Sequence, residues 1–266
     1  MQGAEQPRRL LAVRVGPDAI TTACTDAHGK AMTRLSQSLT SGAPDEKVVA
    51  DVIGRACHRA GIAPSQLDGA CLALSHRWSG LDHGLRAHLD DHLGLPLSTW
   101  PEPALAALAE ARWGAGRGLP SFLMVADDPH TTVTYVRDGR PIEGAGGPAG
   151  LSTALTPELF RTAATATPAG TRSAWAMTAM RIAPLLSASC LLTGVAVVVI
   201  NVRLPRQAAC HFLDHLKSRL HDVMPAHRPQ LLLARVTGDP VLRGALAQAH
   251  HQTLYRLEDR ASSVPQ

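Results

Sequence analysis

Aromatic residues make up only 3% of this 266-residue chain, so the core it builds must be aliphatic, assembled from Ala, Leu and Val. Blocks of like charge are missing too. The net charge is +4, with Lys and Arg scattered, which leans weakly toward anionic partners and excludes the basic stripe of a nucleic-acid binder. Five cysteines (Cys24, Cys57, Cys71, Cys190, Cys210) are odd in number and show no CxxC spacing. They read as reduced core residues, not as a disulfide frame or a zinc site. No leader pattern opens the chain, because MQGAEQPRR runs straight into a strand-like segment, and the expected location is the cytoplasm. Internal repeats and heptads are lacking, as is a helix-turn-helix segment ahead of the first strand. Only Ala183 to Ile200 is uncharged over eighteen residues, the length at which a membrane span becomes a candidate. Pro184, Ser187, Ser189, Thr193 and Gly194 divide it, and VAVVVI is β-branched. It reads as a helix end, a turn and a buried strand, with no membrane.

What is present alternates strand and helix over a 45% apolar chain, enough for one large domain or two small lobes. Leu10–Gly16 is an apolar strand. Ala19 to Met32 holds a second, with Asp26 to Gly29 as the turn to a third. Asp45 to Ala60 is an amphipathic helix stopping at Gly61, Leu67 to Ser75 a strand, and Leu81 to Leu93 a short helix. Trp100 to Gly118 dominates the pattern. Pro103 suits a first helical position, Ala104 to Arg112 are strong helix formers, and Gly114, Gly116 and Gly118 end the helix. Glu102 therefore stands at a helix N-terminus, either as a simple partner of the helix dipole or as a group that does chemistry. SFLMVA follows as a buried strand. Thr171 to Leu186 reads as a helix, Val195–Ile200 as a strand, Gln207 to Met224 as an amphipathic helix, QLLLARV as a strand, and Asp239 to Leu257 as the last helix. His88 with His92, and His211 with His215, have the i, i+4 spacing of a metal pair. Two ligands leave a zinc site incomplete, so both pairs read as solvated helix faces and no metal is expected.

The run LPLSTWPEPALAALAEARWGAGRG, then SFLMVADDPHTTVTYVRDGRPIEGAGGPAG, resembles the centre of the ROK family (repressors, open reading frames and sugar kinases) in the actin-like ATPase superfamily. The alanine-rich helix ending Glu-x-x-x-Gly-x-Gly, the Asp-Gly-Arg hairpin and the glycine turn Gly144 to Gly150 carry the likeness. It implies two actin-like, ribonuclease H-like α/β lobes, roughly 1–115 and 116–266, around a central cleft.

The chemistry of that family is poorly represented. The resemblance puts Glu102 at the position of the base that takes a proton from a sugar hydroxyl. It puts Gly16, Asp18, Thr131, Thr132 and Asn201 at nucleotide positions, and Ser75, His76 and Trp78 at the sugar loop, where Arg77 offers a further anion contact. The first phosphate turn, Asp-x-Gly-Gly-Thr in the family, reads Arg14-Val15-Gly16-Pro17-Asp18. Pro17 removes a donor and Asp18 brings negative charge. Asp127, Asp128, Pro129 and His130 fill the second phosphate loop, where glycine N–H groups are needed. Asn201 and Val202 replace a glycine pair beside adenosine. Leu151 to Ala154 stands in for a sugar motif, and the cysteine-rich zinc loop is missing. The expectation is a catalytically degenerate relative without a cofactor: a sensor of a sugar or anionic ligand, a regulator or an assembly partner, with a second copy or another protein as its partner. The alternative is a divergent Mg-ATP-dependent sugar kinase with Glu102 as base; a transcription regulator without its DNA-binding part is the third reading.

Overall fold

A computed structural model describes residues 8–25, 31–39, 44–127, 131–142, 151–155, 168–202 and 204–262. The chain divides into two compact units, Met1–Ala109 with Gly238–Gln266, and Glu110–Thr237. The expected turns at 26–29 and 144–150, and the loop residues Asp128, Pro129 and His130, lie outside the described residues.

The first unit is built on a sheet of β1 (Leu10–Val15), β2 (Ala19–Thr25), β3 (Ala31–Ser38), β4 (Gly69–Leu74) and β5 (Ser98–Pro101). Its order is β3-β2-β1-β4-β5. β2 runs antiparallel to both β1 and β3, while β4 runs parallel to β1 and to β5. The apolar run LLAVRV is continuous because β1 is covered on both faces. Leu11, Val13 and Val15 pack with Val49, Val52 and Ile53 of α1 (Glu46–Arg59) and with Leu85, Leu89 and Leu93 of α2 (Asp82–Leu93). Asp45 starts α1 by accepting from the Lys47 N–H at 2.9 Å. The opposite face carries small residues: Ala12 stands beside Cys71 in register, next to Gly69 and Ala73. Small residues let a helix backbone come close, and a Cβ on Gly69 would overlap Thr253 Oγ1 and sit 2.9 Å from the Ala249 carbonyl.

That helix is the last of the chain, α6 (Pro240–Ser262), which packs on β1 and β4. The expected division gave everything after 116 to one lobe; instead the C-terminal helix returns to the first unit. The small-residue face of β1 and β4 needs a cover, and α6 meets it at Ala249 and Thr253. α3 (Glu102–Trp113) follows β5 directly, as the sequence suggests, and its Leu105 backbone lies so near Gly244 that a Cβ there would overlap the Leu105 carbonyl.

The second unit repeats the plan without repeating the sequence. β6 (Ser121–Asp127) pairs antiparallel with β7 (Thr131–Arg137), and β7 with β8 (Arg140–Pro141) and β9 (Leu151–Leu155). β10 (Val197–Asn201) and β11 (Gln230–Leu233) run parallel on the other side, giving the order β11-β10-β6-β7-β8. Asp138 and Gly139, with φ of 51° and 73°, make the expected tight hairpin. α4 (Pro168–Thr193) and α5 (Arg206–Val223) pack together on the core. Trp175 meets Phe212 edge-on at 5.8 Å, two of the chain's few rings in an otherwise aliphatic cluster.

α4 runs seven residues further than its sequence pattern suggests, and Gly194 then turns the chain into β10. Pro184 is tolerated inside it because it lies on the exposed side of the helix. Among the described residues Trp175–Thr193 is the one stretch long and apolar enough to cross a membrane, and 44% of it is buried. Its inner face (Ala179, Ile182, Ala183, Leu186, Cys190) belongs to the core of this unit.

Candidate functional site

The pleat of β1 puts Arg14 on the same face as Ala12, at the carboxyl end of the strand. Two helices begin there: α3 at Glu102, and α6 just after Asp239. Arg14 Nε donates to Glu102 Oε1 and Nη2 to Oε2, both at 3.0 Å, a bidentate fork. Its remaining arm, Nη1, reaches Asp239 Oδ2 at 3.3 Å. Arg34 Nη2 from β3 meets the same oxygen at 3.2 Å. Asp239 Oδ1 meanwhile accepts the Leu242 N–H at 3.1 Å, capping α6. Glu102 is 2% exposed and the Arg14 side chain 16%, so the fork sits largely out of water. The two arginines and two carboxylates together carry no net charge.

Glu102 thus finds its partner in the residue that replaces the acid of the expected phosphate turn. Gly16 ends β1 beside the pair; a Cβ on it would lie 3.7 Å from Glu102 Oε1 and 3.8 Å from Arg14 Nε. Its N–H donates to the Ala19 carbonyl at 2.9 Å, and its own carbonyl accepts from Trp78 Nε1 at 2.8 Å. Trp78, a candidate sugar platform, is therefore a buried residue that ties the loop after β4 to the turn after β1, with Arg77 covering its ring at 4.9 Å. Ser75 is buried, and its hydroxyl has no hydrogen-bond partner. His76 and Asp18 are exposed. Thr131 and Thr132 are buried on β7, and Asn201, at the end of β10, lines a cavity of about 680 Å³.

His88 and His92 line a groove of about 530 Å³ with His58, Lys47 and Arg55, and among the described residues no three metal-ligating side chains converge. Of the five cysteines, four are buried as expected, while Cys210 is exposed on α5.

Three functional neighbours escape a sequence reading. Asp239 and Arg34 join Arg14 from distant parts of the chain, and only the helix-start pattern at Asp239 gives a hint. Glu110, inside the Glu-x-x-x-Gly-x-Gly run, is 1% exposed. It accepts backbone N–H bonds from Ala115 at 2.7 Å, Arg235 at 3.0 Å and Val236 at 2.7 Å. Gly114 must be glycine, because a Cβ would overlap the Glu110 carboxylate. The motif glutamate is thus an anchor for the loop after β11, not a chemical group.

Two units of this strand order define the class, an actin-like α/β protein. Within it the chain has the fold of ROK sugar kinases and ROK regulators. No protein-family profile matches the chain, and no curated protein matches it in sequence. Solved structures do. The ROK hexokinase from Thermus thermophilus superposes with a TM-score of 0.69 at 19% identity, over 93% of this chain and 99% of that one. The ROK family glucokinase from Streptomyces griseus, in complex with glucose and AMPPNP, gives 0.67 at 15% identity over 91% and 99%. A ROK family transcriptional regulator, a homologue of the E. coli MLC protein, gives 0.71 at 13% identity over 94% of this chain and 80% of that one.

Proposed function

We propose that this protein is a ROK-fold protein that binds a ligand or partner without transferring phosphate. The observation that carries the reading is the buried Arg14–Glu102 fork. A general base must offer a lone pair within about 2.6–3.2 Å of the hydroxyl it deprotonates. Both Glu102 oxygens are already engaged by Arg14, and the side chain is 2% exposed. Accepting a substrate proton would break a charge-assisted pair in a water-poor site and leave Arg14 facing a neutral acid. Phosphoryl transfer also needs positioned donors and a metal to neutralise the phosphates. At the turn after β1 this chain offers Pro17, which has no N–H, and Asp18, which repels phosphate; Arg14 cannot ligate a cation. These losses are coupled, since the arginine that removes the metal site also occupies the base.

A coupled assay over hexoses and N-acetylhexosamines with Mg-ATP tests this, with Glu102→Gln as control. The expected result is no turnover above background in either protein. Turnover that disappears in Glu102→Gln would establish the kinase reading in its place.

A further inference from the structure

The second unit holds a cavity that this reading leaves without an occupant. We propose that it binds a small amphipathic carboxylate, an apolar body with a single anionic head. This gives the binding role proposed above a ligand class and goes beyond it, because the site lies wholly within Glu110–Thr237 and uses none of the residues around Arg14.

The cavity opens at the carboxyl ends of β10 and β11, which run parallel, the end at which open α/β sheets receive ligands. Its volume of about 680 Å³ falls within the roughly 300–1,000 Å³ typical of small-molecule sites. Ile200, Leu213 and Leu231 are buried at its floor, while Val202, Leu204 and Leu233 stay half-exposed on its walls. These half-exposed side chains give the concavity apolar surface beside its polar surface, which suits a ligand that carries both. Among the described residues the charged members are Arg206 and Arg235, both exposed, and no Asp or Glu lines the site. The first turn of α5 agrees in sign: Pro205 supplies no side-chain cap and no acid follows it, so the leading N–H groups and the helix dipole favour an anion there. The wall is preformed as well, since Glu110 holds the Arg235 and Val236 N–H groups.

The same features exclude other ligands. A nucleoside triphosphate brings about four charges and a metal, against two arginines and no carboxylate to share the cation. A free sugar needs many hydrogen-bonding side chains held in place, and among the described lining residues these are Asn201 and two exposed arginines. A planar carboxylate matches the arginine fork, and its hydrocarbon body covers the leucines.

The test is calorimetric titration of the full-length protein with octanoate, with 1-octanol as the neutral isostere and Mg-ATP as the polyanion. Octanoate is expected to bind at one site per chain, at least about tenfold tighter than octanol, with no saturable heat from Mg-ATP. In an Arg206→Gln/Arg235→Gln double variant, octanoate is expected to weaken to the level of octanol. Both replaced side chains are exposed, so the fold should hold, and circular dichroism checks this. Leu204→Trp, which fills the cavity, is expected to weaken octanoate and octanol together. No saturable octanoate binding, equal affinity for acid and alcohol, or an unaffected double variant would each overturn the proposal. The outcomes are separable from those of the kinase assay: sugar turnover overturns the non-catalytic reading alone, and failure of octanoate overturns this one alone.

Discussion

Arg14 spends every donor-bearing arm of its guanidinium on two acids that belong to the starts of two different helices. Burying such an ion pair contributes little net stability against an apolar pair of the same size, but breaking it is costly because a charge is left without its partner. Arg14→Ala should therefore destabilise by about 3–5 kcal/mol in urea unfolding. The Arg14→Met/Glu102→Met double variant should lose far less than the single change. If the two losses were equal, the pair would not be a coupled unit. Glu110 supports a second prediction. Glu110→Ala leaves three backbone N–H groups without an acceptor at roughly 1–3 kcal/mol each, so a loss of about 3 kcal/mol or more is expected. Glu110→Gln should also destabilise, since its amide turns one acceptor into a donor facing donors. Arg14 and Glu102 stood in the sequence reading, but with a different meaning. Arg14 was legible as the loss of an acid, and Glu102 as a base position. That each answers the other was not, because the pair is 88 positions apart and no local pattern encodes that distance.

At the scale of elements, the helices and strands were largely legible and their destinations were not. α1, α2, α3 and α5 fall within a residue or two of their periodic patterns, because apolar spacing and capping residues such as Asp45 are local signals. α6 was legible as a helix, yet nothing in its own composition says that it covers β1 and β4. That information is in the small residues of the face it covers, and it becomes readable only once the strands are aligned in register. Gly244 makes the point testable, because two effects oppose each other there. Replacing a helical glycine by alanine gains about 1 kcal/mol of intrinsic propensity. Here the new methyl would overlap the Leu105 carbonyl, which is backbone and cannot swing aside. Forced overpacking costs about 1–3 kcal/mol, so Gly244→Ala should lower stability despite the propensity gain. Gly54→Ala on α1, where nothing lies within 4 Å of the added methyl, is the matched control and should be neutral to stabilising. A stabilised Gly244→Ala variant would mean that α6 does not approach α3 as described.

At the scale of the molecule, two units share one strand plan without sharing sequence, and the chain's own cysteines report on each. Cys24, Cys57 and Cys71 are buried in the first unit and Cys190 in the second, while Cys210 is exposed. Burial pushes the Cys71 thiol up to about 12 and the Cys190 thiol up to about 11. Cys24 is raised by its hydrogen bond to Cys57 and then by burial. Cys57 is lowered by its hydrogen bond to Cys24, but burial keeps a reagent from it, so the native protein at pH 8 should show one fast thiol, the exposed Cys210, toward a disulfide reagent, and all five after denaturation. The sign of the pH dependence follows. The native state keeps Cys71 and Cys190 protonated where the unfolded chain, near 8.5, would not. The stability they contribute is whole below about pH 8.5 and is lost as the pH rises through 11 to 12. Removing α6 acts on the first unit, to which it belongs. It uncovers the face of β1 and β4 that carries Cys71 and takes away Asp239, so a chain ending at Thr237 should expose Cys24, Cys57 and Cys71. Cys190 sits in a cluster drawn from residues between Leu123 and Leu233, and it should stay protected. Mass spectrometry of the labelled protein reads this directly, with four modified cysteines expected and Cys190 the exception. Labelling of Cys190 at the same rate as the others would show that the second unit does not hold its core without α6, and that the division at Ala109 and Gly238 is geometric and not a boundary of folding.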